Sequence, residues 1–130
     1  MGDTSIDTGR DVQLVVPATA EYLRLVRLTA AGLASRMGFT FDEVEDLRIA
    51  VDELCFLLVG DGEMDRTMEL RYSSGDGSIS IEGYTRLPGP PPEPNELSEQ
   101  ILSALVDEHE VIAHGGEVRF RLLKRREEDN

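Results

Sequence analysis

The chain has 130 residues, of which 40% are hydrophobic and 30% charged, and this composition is typical of one globular domain. The formal net charge of −13 disfavours direct binding to nucleic acid or to anionic membrane lipids. One cysteine and two histidines can form neither an internal disulfide nor a structural zinc site. No apolar run is long enough to span a bilayer and no signal-peptide pattern is present, so we predict a reduced, cytoplasmic protein without a metal site.

The first half of the chain predicts one strand and two helices. After a flexible polar leader, residues 1–10, alternating apolar residues indicate a strand over 11–16. Apolar residues spaced three or four apart then predict a helix over 18–37, with Arg27 on its exposed side and a core stripe formed by Leu25, Val26, Thr29 and Leu33. A capping-box pattern at residues 40–43 begins a second helix. That helix is apolar on all sides over residues 54–59, so we expect this part to be buried.

The second half predicts two hairpins and one helix. Alternating residues indicate strands over 67–72 and 79–82, joined by a turn at 73–77. The proline-rich segment 88–94 predicts a stiff, extended loop. Asn95 is expected to cap a third helix that ends near Glu108 and has an apolar stripe of Leu97, Ile101, Ala104 and Leu105. A hairpin over 111–122 follows, and residues 125–130 are predicted to be a charged tail that buries nothing.

The predicted order is β, α, α, β, β, α, β, β. Such an order predicts a two-layer α/β sandwich, in which one mixed, mostly antiparallel sheet carries three helices on one face. Residues 11–124 are expected to form this single domain.

Carboxylates are concentrated on the second helix. Those over residues 42–46 lie in its first turns, where a solvated acidic face near the positive end of the helix dipole is the favoured interpretation. Asp52 and Glu53 lie deeper, beside the part expected to be buried, so one of them is expected to face a cleft or a partner. Composition and spacing identify no reaction.

Several runs of the chain are not generic. Residues 16–18, 21–22, 26–29, 34–38 and 45–53, and again 97–99 and 105–108, resemble the RsbW-type anti-sigma factors, which are small serine protein kinases of the GHKL (Bergerat) ATPase superfamily. The resemblance implies a Bergerat-like fold and a homodimer. It also implies two partners, an alternative sigma factor and a STAS-domain anti-anti-sigma factor.

Three motifs of that family depart from its pattern in this chain. The resemblance makes Glu53 the general base, but the Mg²⁺-binding asparagine four residues later is replaced by Leu57, which has no oxygen ligand. Thr85 falls at the position of the aspartate that reads adenine, although a shifted register brings Glu82 nearer. The glycine-rich phosphate lid before the third helix is missing, and Lys124 is the only lysine. We therefore expect a degenerate nucleotide site and no ATP or Mg²⁺ cofactor.

The first helix is expected to carry the surface that binds the partner proteins, which we call the clients. The resemblance places at Arg27 an arginine that contacts both partners, with Arg24 beside it. The alternative, weighted equally, is that Arg27 is an ordinary solvated arginine on the outer side of a helix. We predict an anti-sigma-factor-like regulator that binds a sigma factor, a STAS partner or both, without ATP-dependent catalysis. The alternative is an active serine protein kinase that uses Glu53, and a third hypothesis keeps the fold but changes the client.

Overall fold

The predicted strands and helices form, with shifted ends. The computed structural model describes residues 10–60, 65–89, 93 and 95–127. In these residues the strands are β1 (Arg10–Pro17), β2 (Thr67–Gly75), β3 (Ser78–Arg86), β4 (Glu108–His114) and β5 (Glu117–Arg125). The helices are α1 (Leu23–Arg36), α2 (Phe41–Val59) and α3 (Glu96–Leu105), and a 3₁₀ turn (Ala20–Tyr22) precedes α1.

The five strands form one open sheet in the order β1-β2-β3-β5-β4. Every pairing among them is antiparallel, so the described sheet is not mixed as expected but wholly antiparallel. The helices pack on one face, and the predicted two-layer α/β sandwich is confirmed. The opposite face bears the polar residues of the alternating pattern.

The core lies between α2 and the middle of the sheet. Leu47, Leu54 and Leu58 of α2 are fully buried, and they pack in one cluster with sheet residues that include Tyr72 and Phe120. Gly83 in β3 makes room for that packing, because a Cβ atom there would lie 2.3 Å from Cε2 of Phe120. The sheet therefore needs glycine at this position for steric reasons rather than for backbone freedom.

Both helix ends that depart from the prediction are fixed by backbone hydrogen bonds to other elements. At the start of α1, the N–H of Ala18 donates to the carbonyl of Arg66, and residues 20–22 form a 3₁₀ turn, so the α-helix begins at Leu23 rather than near Ala18. Helix α3 ends at Leu105 and not near Glu108, because the N–H of Asp107 donates to the carbonyl of Leu123. Glu108 is already part of the sheet.

In α2 and in α3, one expectation each about burial is wrong. Phe56, within the supposedly buried end of α2, is 60% exposed, whereas its neighbours Leu54 and Cys55 are buried. A surface helix against a sheet buries only one side, and Phe56 lies on the other. In α3 the buried residue is Leu102, whereas Leu97 is 64% exposed.

The predicted charged tail is partly fixed to the domain. Arg125 ends β5, and the N–H of Arg126 donates to the carbonyl of Gly77. The N–H of Glu127 donates to Oε2 of Glu43 at 2.6 Å. Residues 128–130, most of the leader and residues 90–92 and 94 of the proline segment lie outside the described residues.

Candidate functional site

Helix α2 positions the residues that the sequence singled out, and its first residue is fixed by a capping box. Oγ1 of Thr40 accepts from the N–H of Glu43, and Oε1 of Glu43 accepts from the N–H of Thr40 at 2.7 Å. From this fixed start, α2 presents Asp52 to α1 and Glu53 to α3. The two adjacent carboxylates therefore serve different helices.

Asp52 forms an ion pair with Arg27 of α1. Nη1 of Arg27 lies 2.9 Å from both Oδ1 and Oδ2 of Asp52, and the two side chains are 29% and 33% exposed. The expectation that Arg27 projects freely from the exposed side of α1 is therefore wrong. The buried stripe of that helix runs through Leu23, Val26, Ala30 and Ala34, which turns Arg27 toward α2.

The remaining side of α1 is exposed and basic. The helix carries three arginines and no carboxylate, and Arg24 is exposed as expected. Leu25 was expected in the core, but it is exposed, as is Leu28. This surface combines positive charge with apolar side chains.

Glu53 faces α3, where Ser98 meets it. Oγ of Ser98 donates to Oε1 of Glu53 at 2.8 Å, which leaves Oε2 outside that bond. Oδ1 of Asn95 accepts from the N–H of Ser98 and caps α3, as predicted. The first turn of α3 is thereby oriented toward Glu53, and α3 is continuous helix from Glu96 to Leu105.

A small cleft separates α2 from α3 beside Glu53. We call it the α2–α3 cleft; its volume is about 230 Å³, and it is lined by Glu53, Leu54, Phe56, Leu57, Glu93, Asn95, Ser98 and Leu102. Leu57 contributes a half-buried hydrocarbon side chain to it. The position one helical turn beyond Glu53 thus offers no oxygen to a cation.

Thr85 is buried and its hydroxyl is fully engaged. Oγ1 of Thr85 donates to the carbonyl of Thr67 at 2.8 Å and accepts from Nη1 of Arg66 at 3.0 Å. The same guanidinium group donates to the carbonyls of Leu58 and Val59, so it satisfies the C-terminal end of α2. Arg66 therefore fills the space between the end of α2 and the end of β3.

One other chemistry-bearing side chain, the single cysteine of the sequence, lies in the core. Cys55 is buried, and burial raises the pKa of its thiol well above the usual range, so it is a protonated core residue at neutral pH. Among the described residues, no three His, Cys, Asp or Glu side chains are grouped closely enough to hold a metal ion.

Comparison with known proteins decides the family. The sequence profile of the histidine kinase-like ATPase domain matches residues 16–122. This chain belongs to the histidine kinase-like ATPase domain family. The match runs from the end of β1 into β5, and it confirms the family resemblance drawn from the sequence.

Similar sequences in this family are serine-protein kinases named RsbW. The chain is 57% identical over 44 residues to RsbW of Bacillus subtilis, a stretch that covers 34% of this chain and 28% of that protein. It is 52% identical over 52 residues to RsbW of Bacillus velezensis, covering 40% and 31%. The chain thus spans about three tenths of the length of these relatives.

A solved structure shares the fold. The RsbU and RsbW domains of Rv1364c from Mycobacterium tuberculosis superpose on 90% of this chain and 32% of that one, with a TM-score of 0.69 and 19% identity. In the described residues of this chain, no helix is both long and apolar enough to cross a membrane.

Sequence reasoning missed Ser98 and Arg66. Ser98 lies within the residues that resemble the family, and a hydroxyl in the first turn of a capped helix can be recognised as a polar group facing a neighbour. Arg66 follows the break after α2 with no local pattern of its own, because its partners come from α2 and β3.

Proposed function

We propose that this chain is an RsbW-like regulator that acts by binding proteins and not by transferring phosphate. Its partners are an alternative sigma factor and a STAS-domain anti-anti-sigma factor, and it works in the cytoplasm as a homodimer. The names of its relatives and the family match support the partner-switching class.

The observation that carries the loss of catalysis is Leu57 in the α2–α3 cleft. Phosphoryl transfer needs a bound metal ion that neutralises developing charge, and a leucine supplies no ligand. The cleft volume of about 230 Å³ is also below the roughly 300 to 1,000 Å³ of sites that enclose small ligands. Thr85, whose hydroxyl is held by Arg66 and Thr67, is a poor substitute for a carboxylate that reads adenine. The described residues do not fit ATP with Mg²⁺.

The exposed side of α1 is the surface that binds the client proteins. Arg24 is free to approach a partner, and Arg27 remains 29% exposed, so it can contact a client while it stays paired with Asp52. Arginine flanked by exposed leucines is typical of protein interfaces. Leu25 and Leu28 supply that apolar component.

Active kinase chemistry is the second candidate, and it is favoured by the retained Glu53 and by the relatives, which are named serine-protein kinases. Thermal unfolding with and without millimolar ATP and Mg²⁺ separates the two, because a ligand that binds the folded state raises Tm. We expect no shift. A Tm increase, together with serine phosphorylation of a STAS partner that is lost in Glu53→Gln, would establish the kinase instead.

A further inference from the structure

The helical layer is divided by charge. Helix α1 carries three arginines and no carboxylate, whereas α2 carries six carboxylates and one arginine, and α3 carries two carboxylates and no basic residue. The α2–α3 cleft lies on the acidic side. A partner that binds there must be complementary to negative charge, and therefore differs from one that binds the arginines of α1.

The cleft has an apolar floor and an acidic rim. Leu54 and Leu102 are buried beneath it, and Leu57 is half buried. Phe56 stands at the edge with 60% of its surface exposed, and Glu53 and Glu93 also line the opening. Apolar surface bordered by carboxylates favours a ligand that is itself both apolar and basic.

The size of the cleft suits one side chain. A dry cavity of about 150 Å³ holds a benzene ring, so about 230 Å³ accommodates an aromatic or large aliphatic side chain. Further apolar contact is available at Leu97 in the first turn of α3, which is 64% exposed. An amphipathic helix laid in a groove uses this combination of one deep anchor and flanking contacts.

We propose that the α2–α3 cleft docks a basic, amphipathic segment of a protein partner. One apolar side chain enters the cleft, neighbouring apolar groups contact Phe56 and Leu97, and Lys or Arg side chains approach Glu53 and Glu93 at its rim. Oε2 of Glu53, which lies outside the bond to Ser98, is an acceptor for such a donor. The inference stands on the cleft and its charge, and it does not require the α1 surface to bind a client.

The experiment uses three fluorescein-labelled synthetic peptides and the full chain. The first is a helical peptide with a leucine and phenylalanine stripe and lysines on its other face. The second keeps the stripe and replaces lysine with glutamate, and the third keeps the lysines and replaces the stripe with glutamine. Fluorescence anisotropy at low and high salt measures Kd, and we expect the first peptide to bind at least about tenfold more tightly than either other peptide, with weaker binding in salt.

Surface variants locate the binding. We expect Phe56→Ser and Leu97→Ser each to raise Kd for the first peptide at least about fivefold, since anchors of an interface dominate its affinity. Glu93→Lys, which reverses a charge at the rim of the cleft, should raise Kd severalfold and reduce its salt dependence. The matched controls are Val15→Ser, an apolar residue of β1 that is 59% exposed, and Glu21→Lys, an exposed carboxylate before α1, and both should leave Kd unchanged.

Three results overturn the proposal. Equal binding of the first and third peptides shows charge attraction without an apolar cleft. Equal effects of Val15→Ser and Phe56→Ser on Kd show that the peptide binds elsewhere, and an unchanged Kd in both Phe56→Ser and Leu97→Ser shows that it does not bind at the cleft. Circular dichroism of each variant confirms that the fold is kept. Sigma-factor binding by the wild type and by Arg24 variants tests the proposed function separately, and loss of binding in those variants supports it. The docking proposal and the proposed function can therefore fail independently.

Discussion

The ion pair between Arg27 and Asp52 gives a quantitative test of the helix arrangement. It joins α1 to α2 across 25 residues of sequence, with Nη1 of Arg27 2.9 Å from both carboxylate oxygens. Sequence reasoning predicts that Arg27→Ala leaves Tm nearly unchanged. The structure predicts a measurable loss of stability, because the substitution also leaves Asp52 unpaired at a partly buried position.

The expected coupling free energy follows from the solvent exposure of the Arg27 and Asp52 side chains. Exposed ion pairs contribute about 0.2 to 1 kcal/mol, and hydrogen bonds to charged groups about 1.5 to 3 kcal/mol. Because both side chains are about one-third exposed, solvent screens the pair, and we expect a coupling free energy of about 1 kcal/mol. For a chain of this length, that corresponds to a Tm decrease of about 4 °C.

Urea unfolding of a double-mutant cycle measures this coupling. The cycle uses the wild type, Arg27→Ala, Asp52→Ala and the double variant, and Arg24→Ala serves as the control for loss of an exposed arginine on the same helix. We expect Arg24→Ala to change stability by about 0.5 kcal/mol or less. A coupling below about 0.3 kcal/mol, or equal losses in Arg27→Ala and Arg24→Ala, refutes the reasoning. High salt should reduce the coupling only partly, since the pair is not fully exposed.

Two further predictions concern packing and pH. Gly83→Ala should destabilise the fold by about 2 kcal/mol or more in urea unfolding, because the new Cβ would lie 2.3 Å from Phe120. Gly32→Ala in α1 should stabilise the fold by about 0.5 to 1 kcal/mol, because the new Cβ would meet nothing within 4 Å. A more stable Gly83→Ala than Gly32→Ala would contradict this packing of Gly83 against Phe120. Burial raises the pKa of Glu43, but hydrogen bonds to its carboxylate, with the N–H of Glu127 foremost, lower it by more, so the pKa lies below 4.5. The carboxylate therefore stabilises the fold fully above that pH, and the stability advantage of the wild type over Glu43→Gln should shrink as the pH falls below 4.5 to the lowest pH at which the wild type still unfolds cooperatively. A constant difference from neutral pH to that limit would contradict the role of Glu43.

Local patterns in the sequence determined the elements and the family. Alternation and three-to-four spacing identified the five strands and three α-helices that the described part of the chain forms, since periodicity reports which side of an element is buried. The caps at Thr40 and Asn95 were predicted correctly, because a capping bond joins residues only three apart. The non-generic runs around Glu53 indicated the family that the profile match over residues 16–122 confirms.

The surroundings of each functional side chain were decided only by the tertiary structure. Arg27 meets Asp52 across 25 residues, Ser98 meets Glu53 across 45, and Arg66 meets Thr85 across 19. Such pairs depend on how helices pack and on strand register, which no local period encodes. A helix sequence shows that an arginine is off the core stripe, but only the position of the neighbouring helix decides whether it is paired or free. The same holds for Phe56, which borders an open cleft although Leu54 and Cys55 before it are buried. Packing against a sheet covers one side of α2 and leaves the other side to solvent.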